Sequence, residues 1–132
     1  MNEREREVKL LRGVSSLLGL GNSERTFRLW FDLLNGRKVV RLWPSGLIHL
    51  RCSRDWADCQ DEDLSEIVDV DVRRGKLTHE EGKQYGYKVD PADLPESWFI
   101  HFEGQMVLTI VCLDIEVEEL DLGSRYPHLA QW

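Results

Sequence analysis

Cysteine is scarce in this chain. Cys52, Cys59 and Cys112 are the only three among 132 residues, an odd number without CxxC spacing. That pattern speaks against a disulfide framework and reads as reduced thiols in a cytosol. Long hydrophobic runs are missing too. The longest, Met106 to Leu113, is interrupted by Thr109 and falls far short of the ~20 residues that cross a bilayer, so no membrane association is expected. Met1 to Glu7 alternates acid and base and lacks the apolar core of a signal peptide, so the expected compartment is the cytoplasm. Internal repeats, low-complexity segments and the motifs GxSxG, Walker A, HExxH and EF-hand are also absent. No cofactor is expected on that basis.

Aromatic residues are present and well spread. Five tryptophans, four phenylalanines and three tyrosines argue against disorder. A chain of this size buries roughly 68% of its unfolded surface, enough for one domain spanning residues 1–132 without a structural metal. The charge is distributed unevenly. Residues 1–54 carry 11 Lys and Arg against 5 Asp and Glu, net +6, and residues 55–132 carry 6 against 19, net −13; the chain total is −7.

Periodicity divides the chain into elements. Leu10, Leu11, Val14, Leu17 and Leu18 fall within about a 120° arc of a helical wheel, which predicts an amphipathic helix from Glu3 to Leu18, ended by Gly19, Gly21 and Asn22. From Arg25 the period becomes two. Phe27, Leu29, Phe31 and Leu33 alternate with Arg28, Trp30 and Asp32, and Asn35-Gly36 supplies the central pair of a type I′ turn. Lys38 to Trp43 returns, Pro44-Ser45-Gly46 turns again, and Leu47 to Cys52 completes an antiparallel meander. Ser53 to Asp63 reads as an acidic loop around Trp56. Ile67 to Arg73 reads as a strand because of its β-branched residues, followed by a turn at Arg74-Gly75-Lys76. Thr78-His79-Glu80-Glu81 has capping-box form and opens a short helix to about Tyr85. A connector in which Pro91 is placed to start a single helical turn leads to a hairpin of Trp98–Phe102 and Met106–Val117. Met106 to Leu113 is apolar on both faces, so it is expected centrally with cover on both sides.

Four constellations could carry chemistry. Asp114, Glu116 and Glu118 project a carboxylate every ~6.8 Å from one strand face, and Asp69 and Asp71 form a shorter version. Such ladders protect a sheet edge, meet a row of Lys and Arg on a partner, or hold a divalent cation. Same-face carboxylates on adjacent strands would repel, so arginine between the two ladders or a separation of them is expected. The basic meander interleaves Arg28, Trp30, Arg37, Arg41, Trp43 and Arg51, a surface suited to single-stranded nucleic acid, but the chain's charge opposes phosphate at long range. His49, Cys52 and Cys59 resemble zinc ligands, yet three-residue spacing on a strand puts His49 and Cys52 on opposite faces. His79 and His101 lie beside carboxylates without a nucleophile in a recognisable frame.

Together these features predict an α+β fold: an N-terminal amphipathic helix packed on a mainly antiparallel sheet of five or six strands, with one short helix in a crossover. The leading functional reading is a small acidic cytosolic protein-binding module without catalysis. An inhibitor or immunity-type protein occupying the basic surface of a nucleic-acid-handling partner fits it. The residues expected to bind are Asp61, Glu62, Asp63, Glu66, Asp69, Asp71, Asp114, Glu116 and Glu118, with Trp56 as an apolar anchor. The alternatives are a small carboxylate- and histidine-based enzyme, divalent metal included, and nucleic-acid binding through the meander. A homodimer joining the +6 and −13 parts of two copies is a further reading.

Overall fold

The computed structural model describes residues 2–23, 25, 28–54, 65–86, 93 and 95–129. Asn2 opens the first helix, its Oδ1 accepting from the Glu5 N–H at 2.8 Å. This helix, α1, runs over Glu3–Arg12 and ends six residues earlier than its wheel predicts. Gly13 caps it, and Asn35 Nδ2 donates to the Leu10 carbonyl at 2.9 Å, satisfying one of the orphan acceptors of the last turn. The sheet then captures the chain, because the Ser15 N–H donates to Leu34 O and the Ser15 carbonyl accepts from the Ile67 N–H.

Strand β1 is Ser16–Ser23, where the sequence predicted helix and terminator. Leu17 enters the main core while Leu18 joins a separate cluster with Val39 and Leu122, as neighbours on a strand must. Gly21 lies opposite Trp30, and a Cβ there would collide with the indole.

Strands β2 (Arg28–Asn35) and β3 (Lys38–Arg54) form the expected hairpin with a shifted loop. Gly36 and Arg37 make the turn, not Asn35-Gly36, since Asn35 pairs with Lys38 and Gly36 holds φ at +63°. Asp32 therefore faces Arg41 rather than Val39. The third strand of the predicted meander does not exist as a separate element. Instead β3 is continuous for 17 residues through Pro44-Ser45-Gly46, held end to end by β6 (Met106–Asp121) from Lys38↔Asp121 to Arg54↔Met106. Pro44 costs no bond to β2, whose pairing stops at Leu42. Gly46, at φ +62°, packs so closely on Leu113 that a Cβ would lie 2.8 Å from Leu113 Cδ1, and the register with β6 shifts just beyond, between Leu47 and His49. At the same place the inward residues of β6 change from Leu108, Ile110 and Cys112 to Ile115 and Val117.

Strand β4 (Ser65–Lys76) includes the predicted Ile67–Arg73 and continues through Gly75, where a turn was expected. Helix α2 (His79–Gln84) carries the predicted capping box: Thr78 Oγ1 accepts from the Glu81 N–H at 3.1 Å, and the Thr78 N–H donates to Glu81 Oε1 at 2.8 Å. It lies in the connection between β4 and β5 (Glu96–Gly104), which are sheet neighbours, and so does not occupy a crossover. Leu77, Phe99 and Val111 are buried together with Ile48 and Tyr85 beside them, giving the doubly apolar part of β6 its outer cover. Helix α3 (Leu122–Arg125) follows β6, capped by Asp121.

All strand pairings are antiparallel, and the order β1-β2-β3-β6-β5-β4 closes into a barrel through Ser16↔Glu66 and Leu17↔Ser65. Phe31, Leu33, Leu42, Ile100, Phe102 and Leu108 fill it, and Leu11 of α1 packs fully buried against them. Arg12 Nη2 donates to Val72 O and Arg4 Nη1 to Ile115 O, so α1 is fixed to both β4 and β6. No described helix is long and apolar enough to cross a membrane. Phe27, within the strand expected from Arg25, and Pro91, at the expected single helical turn, lie outside the described residues.

Candidate protein-binding surface

The carboxylates of β6 point outward, as alternation requires, while Ile115 is buried in the core and Val117 packs against it. Continuous pairing with β3 sets them beside the basic residues of the hairpin. Arg4 Nη2 donates to Asp114 Oδ1 at 2.6 Å, Arg28 Nη2 lies 3.5 Å from Glu116 Oε2, and Trp43 Nε1 donates to Glu118 Oε1 at 3.0 Å. Glu119 lies 3.6 Å from Arg6 and 3.4 Å from Lys38. The acidic ladder and part of the basic meander, Arg28 and Trp43, thus share one surface. The arginines also stack on the aromatics, Arg28 over Trp43 at 5.0 Å and Arg41 over Trp30 at 4.2 Å. Exposed pairs of this kind contribute about 0–1 kcal/mol each, so the face is neutralised more than it is locked.

Beneath that surface lies a site the sequence reading missed. Asp32 is fully buried; Arg41 donates to it twice, from Nε at 2.6 Å and Nη2 at 2.9 Å, and the Tyr126 hydroxyl donates to the same carboxylate at 2.6 Å. Burial, reinforced by the bond to Asp32, pushes the Tyr126 phenol well above its usual range. The bond to Asp32 likewise raises the Arg41 guanidinium. A signal existed: an acid nine residues before an arginine across a hairpin turn face each other once the loop is placed at Gly36-Arg37.

A cavity of about 390 Å³ between α1 and β6 is lined by Glu3, Arg4, Glu7, Trp43, Glu116 and Glu118 among others. Glu7 is 5% exposed, and burial lifts its carboxyl above the ordinary value against the opposing pull of Arg4. Burial also pushes the Cys112 thiol up to about 12, fitting its expected place in the core.

The carboxylates of β4 differ from those of β6. Glu66, Asp69 and Asp71 are exposed, and the register sets Asp69 opposite Glu103 and Asp71 opposite His101 on β5. Among the described residues the only basic group within ion-pair distance of any of these four acids is His101, whose Nε2 lies 3.8 Å from Glu103 Oε2. Val68, between Ile67 and Asp69 at a register shift, is 78% exposed. The backbone here is firmly placed, since the Glu66 N–H donates to Gln105 Oε1 at 2.8 Å and its carbonyl accepts from the Gln105 N–H at 2.9 Å. Arg73 and Arg74, farther along β4, are engaged with Glu81 and Glu96. The two acidic strands are separated by β5, which together with Arg4 of α1 and Arg28 of β2 beside the β6 carboxylates relieves the repulsion expected between them.

Trp56, Asp61, Glu62 and Asp63, the remaining predicted binding residues, lie outside the described residues, as does Cys59. His49 stacks on Tyr85 at 4.6 Å, and Cys52 pairs with Leu108 on the β6 ladder. His101 Nδ1 shares a 2.9 Å hydrogen bond with Thr109 Oγ1, and His79 starts α2. A search of protein-family models and of curated proteins finds no match to this chain.

Proposed function

We propose that this chain is a small acidic protein-binding module whose β4–β5 strip, Glu66, Asp69, Asp71 and Glu103 around Val68, seats on a basic surface of a partner protein. The observation that supports this reading most is the contrast between the two acidic strands. The β6 carboxylates Asp114, Glu116 and Glu118 meet arginine or indole donors of the same chain, whereas those of β4 meet none among the described residues. Unmatched surface charge beside an exposed apolar side chain favours a complementary partner through steering and partial desolvation. Trp56 and Asp61 to Asp63, the remaining residues expected to bind, precede β4 in the sequence. The ladder of β6 contributes second, by exchanging weak internal pairs for a partner's cations. An inhibitor or immunity-type role toward a nucleic-acid-handling protein suits this chemistry, because such proteins present basic clefts. The protein would act in the cytoplasm, without a cofactor.

A pull-down from a nuclease-treated lysate, washed at rising salt, tests the proposal. A basic protein retained at low salt, released as salt rises, and lost on joint Glu66→Lys, Asp69→Lys and Asp71→Lys substitution is the expected outcome. Retention of the same protein by that variant, or recovery that depends on nucleic acid, would overturn it.

A further inference from the structure

We propose a second binding site, independent of the acidic strip: the cavity between the β2–β3 turn and α3 takes a small amphipathic carboxylate. The cavity measures about 630 Å³, inside the ~300–1,000 Å³ range typical of small-molecule sites. Its walls include Leu34, Leu122 and Leu129, which belong to the apolar cluster built on Leu18 and Val39. The body of the ligand is therefore apolar.

Charge at the mouth sets the sign of its head group. Arg37 lines the cavity from the two-residue turn, next to Gly36, where an added Cβ would meet nothing within 4 Å. Three other cations of this hairpin are engaged: Lys38 lies against Glu119, Arg41 is bonded to Asp32, and Arg28 faces Glu116. Arg37 pairs with no described residue. Asp121 also lines the cavity and would favour a cation, but its Oδ2 already accepts from the Ser124 N–H at 3.0 Å and Ser124 Oγ at 2.9 Å. Arg37 is the lining charge with no described partner, and its planar fork of donors matches a carboxylate in two parallel bonds. A ligand with its chain between Leu34, Leu122 and Leu129 and its carboxylate on Arg37 meets both demands.

Isothermal titration of the full chain with decanoate tests the site, with decyltrimethylammonium as the same tail carrying the opposite charge and acetate as the head group without a tail. Expected are saturable one-to-one heats with decanoate alone, weakened at least tenfold in Arg37→Glu and partly recovered in Arg37→Lys. Leu129→Ser should weaken decanoate as well, while circular dichroism shows each variant folded. Absence of saturable decanoate binding at millimolar concentration would overturn the proposal. So would affinity within twofold of the parent in Arg37→Glu, or equal affinity for decyltrimethylammonium or acetate.

Discussion

Asp32 shows how much one side chain decides here. Its carboxylate satisfies Arg41 and Tyr126 together inside a region where neither would be solvated, and it ties the segment after β6 to the β2–β3 hairpin. Removing one member of a buried ion pair leaves the other charge uncompensated, at a cost of about 3–5 kcal/mol. Asp32→Ala should lose stability in that range in urea unfolding, and Tyr126→Phe, which removes one bond to a charged acceptor, about 1.5–3 kcal/mol. Glu7 gives a pH signature. Its folded carboxyl is held above the ordinary 4.5 by burial, so the folded state binds this proton more tightly than the unfolded state. Stability falls as pH rises from the unfolded value through the folded one and is level beyond it. Glu7→Gln, which fixes the neutral form, should raise the melting temperature at pH 7 and leave it nearly unchanged near pH 3.

Elements follow from local signals where those are self-contained and depart where a distant strand competes. The capping box of α2, the alternation of β2 and the β5–β6 hairpin are readable because their periodicity and caps lie within a few residues. The end of α1 is not. Leu17 and Leu18 fit a helical arc, but bonds from Ser15 to Leu34 and Ile67 draw the chain into the barrel, and no local pattern encodes those partners. Pro44-Ser45-Gly46 reads as a reversal, yet 16 residues of β6 hold β3 on its course through it. Asn35 is the residue that couples hairpin to helix, since its side chain caps Leu10 in place of entering the turn. Asn35→Ala should cost about 1 kcal/mol and speed hydrogen exchange in the last turn of α1, with the β5–β6 hairpin unaffected.

Among the described residues part of the charge asymmetry of the sequence is folded against itself. Arg4, Arg6, Arg28 and Lys38 from the first half meet Asp114, Glu116 and Glu119 from the second, through the long β3–β6 pairing and α1. The candidate site was legible in part: Glu66, Asp69 and Asp71 were recognisable as acidic strand residues, but which acids would find internal partners depended on a register that composition does not carry. The most direct test is a backbone NMR titration of the full chain with a tetra-arginine peptide at low salt. Shifts centred on Glu66 to Asp71 and Glu103, saturating before any at Asp114 to Glu118, are expected from a β4–β5 strip with no arginine or lysine partner among the described residues. Shifts centred on Asp114 to Glu118, or spread evenly over all exposed acids, would contradict it.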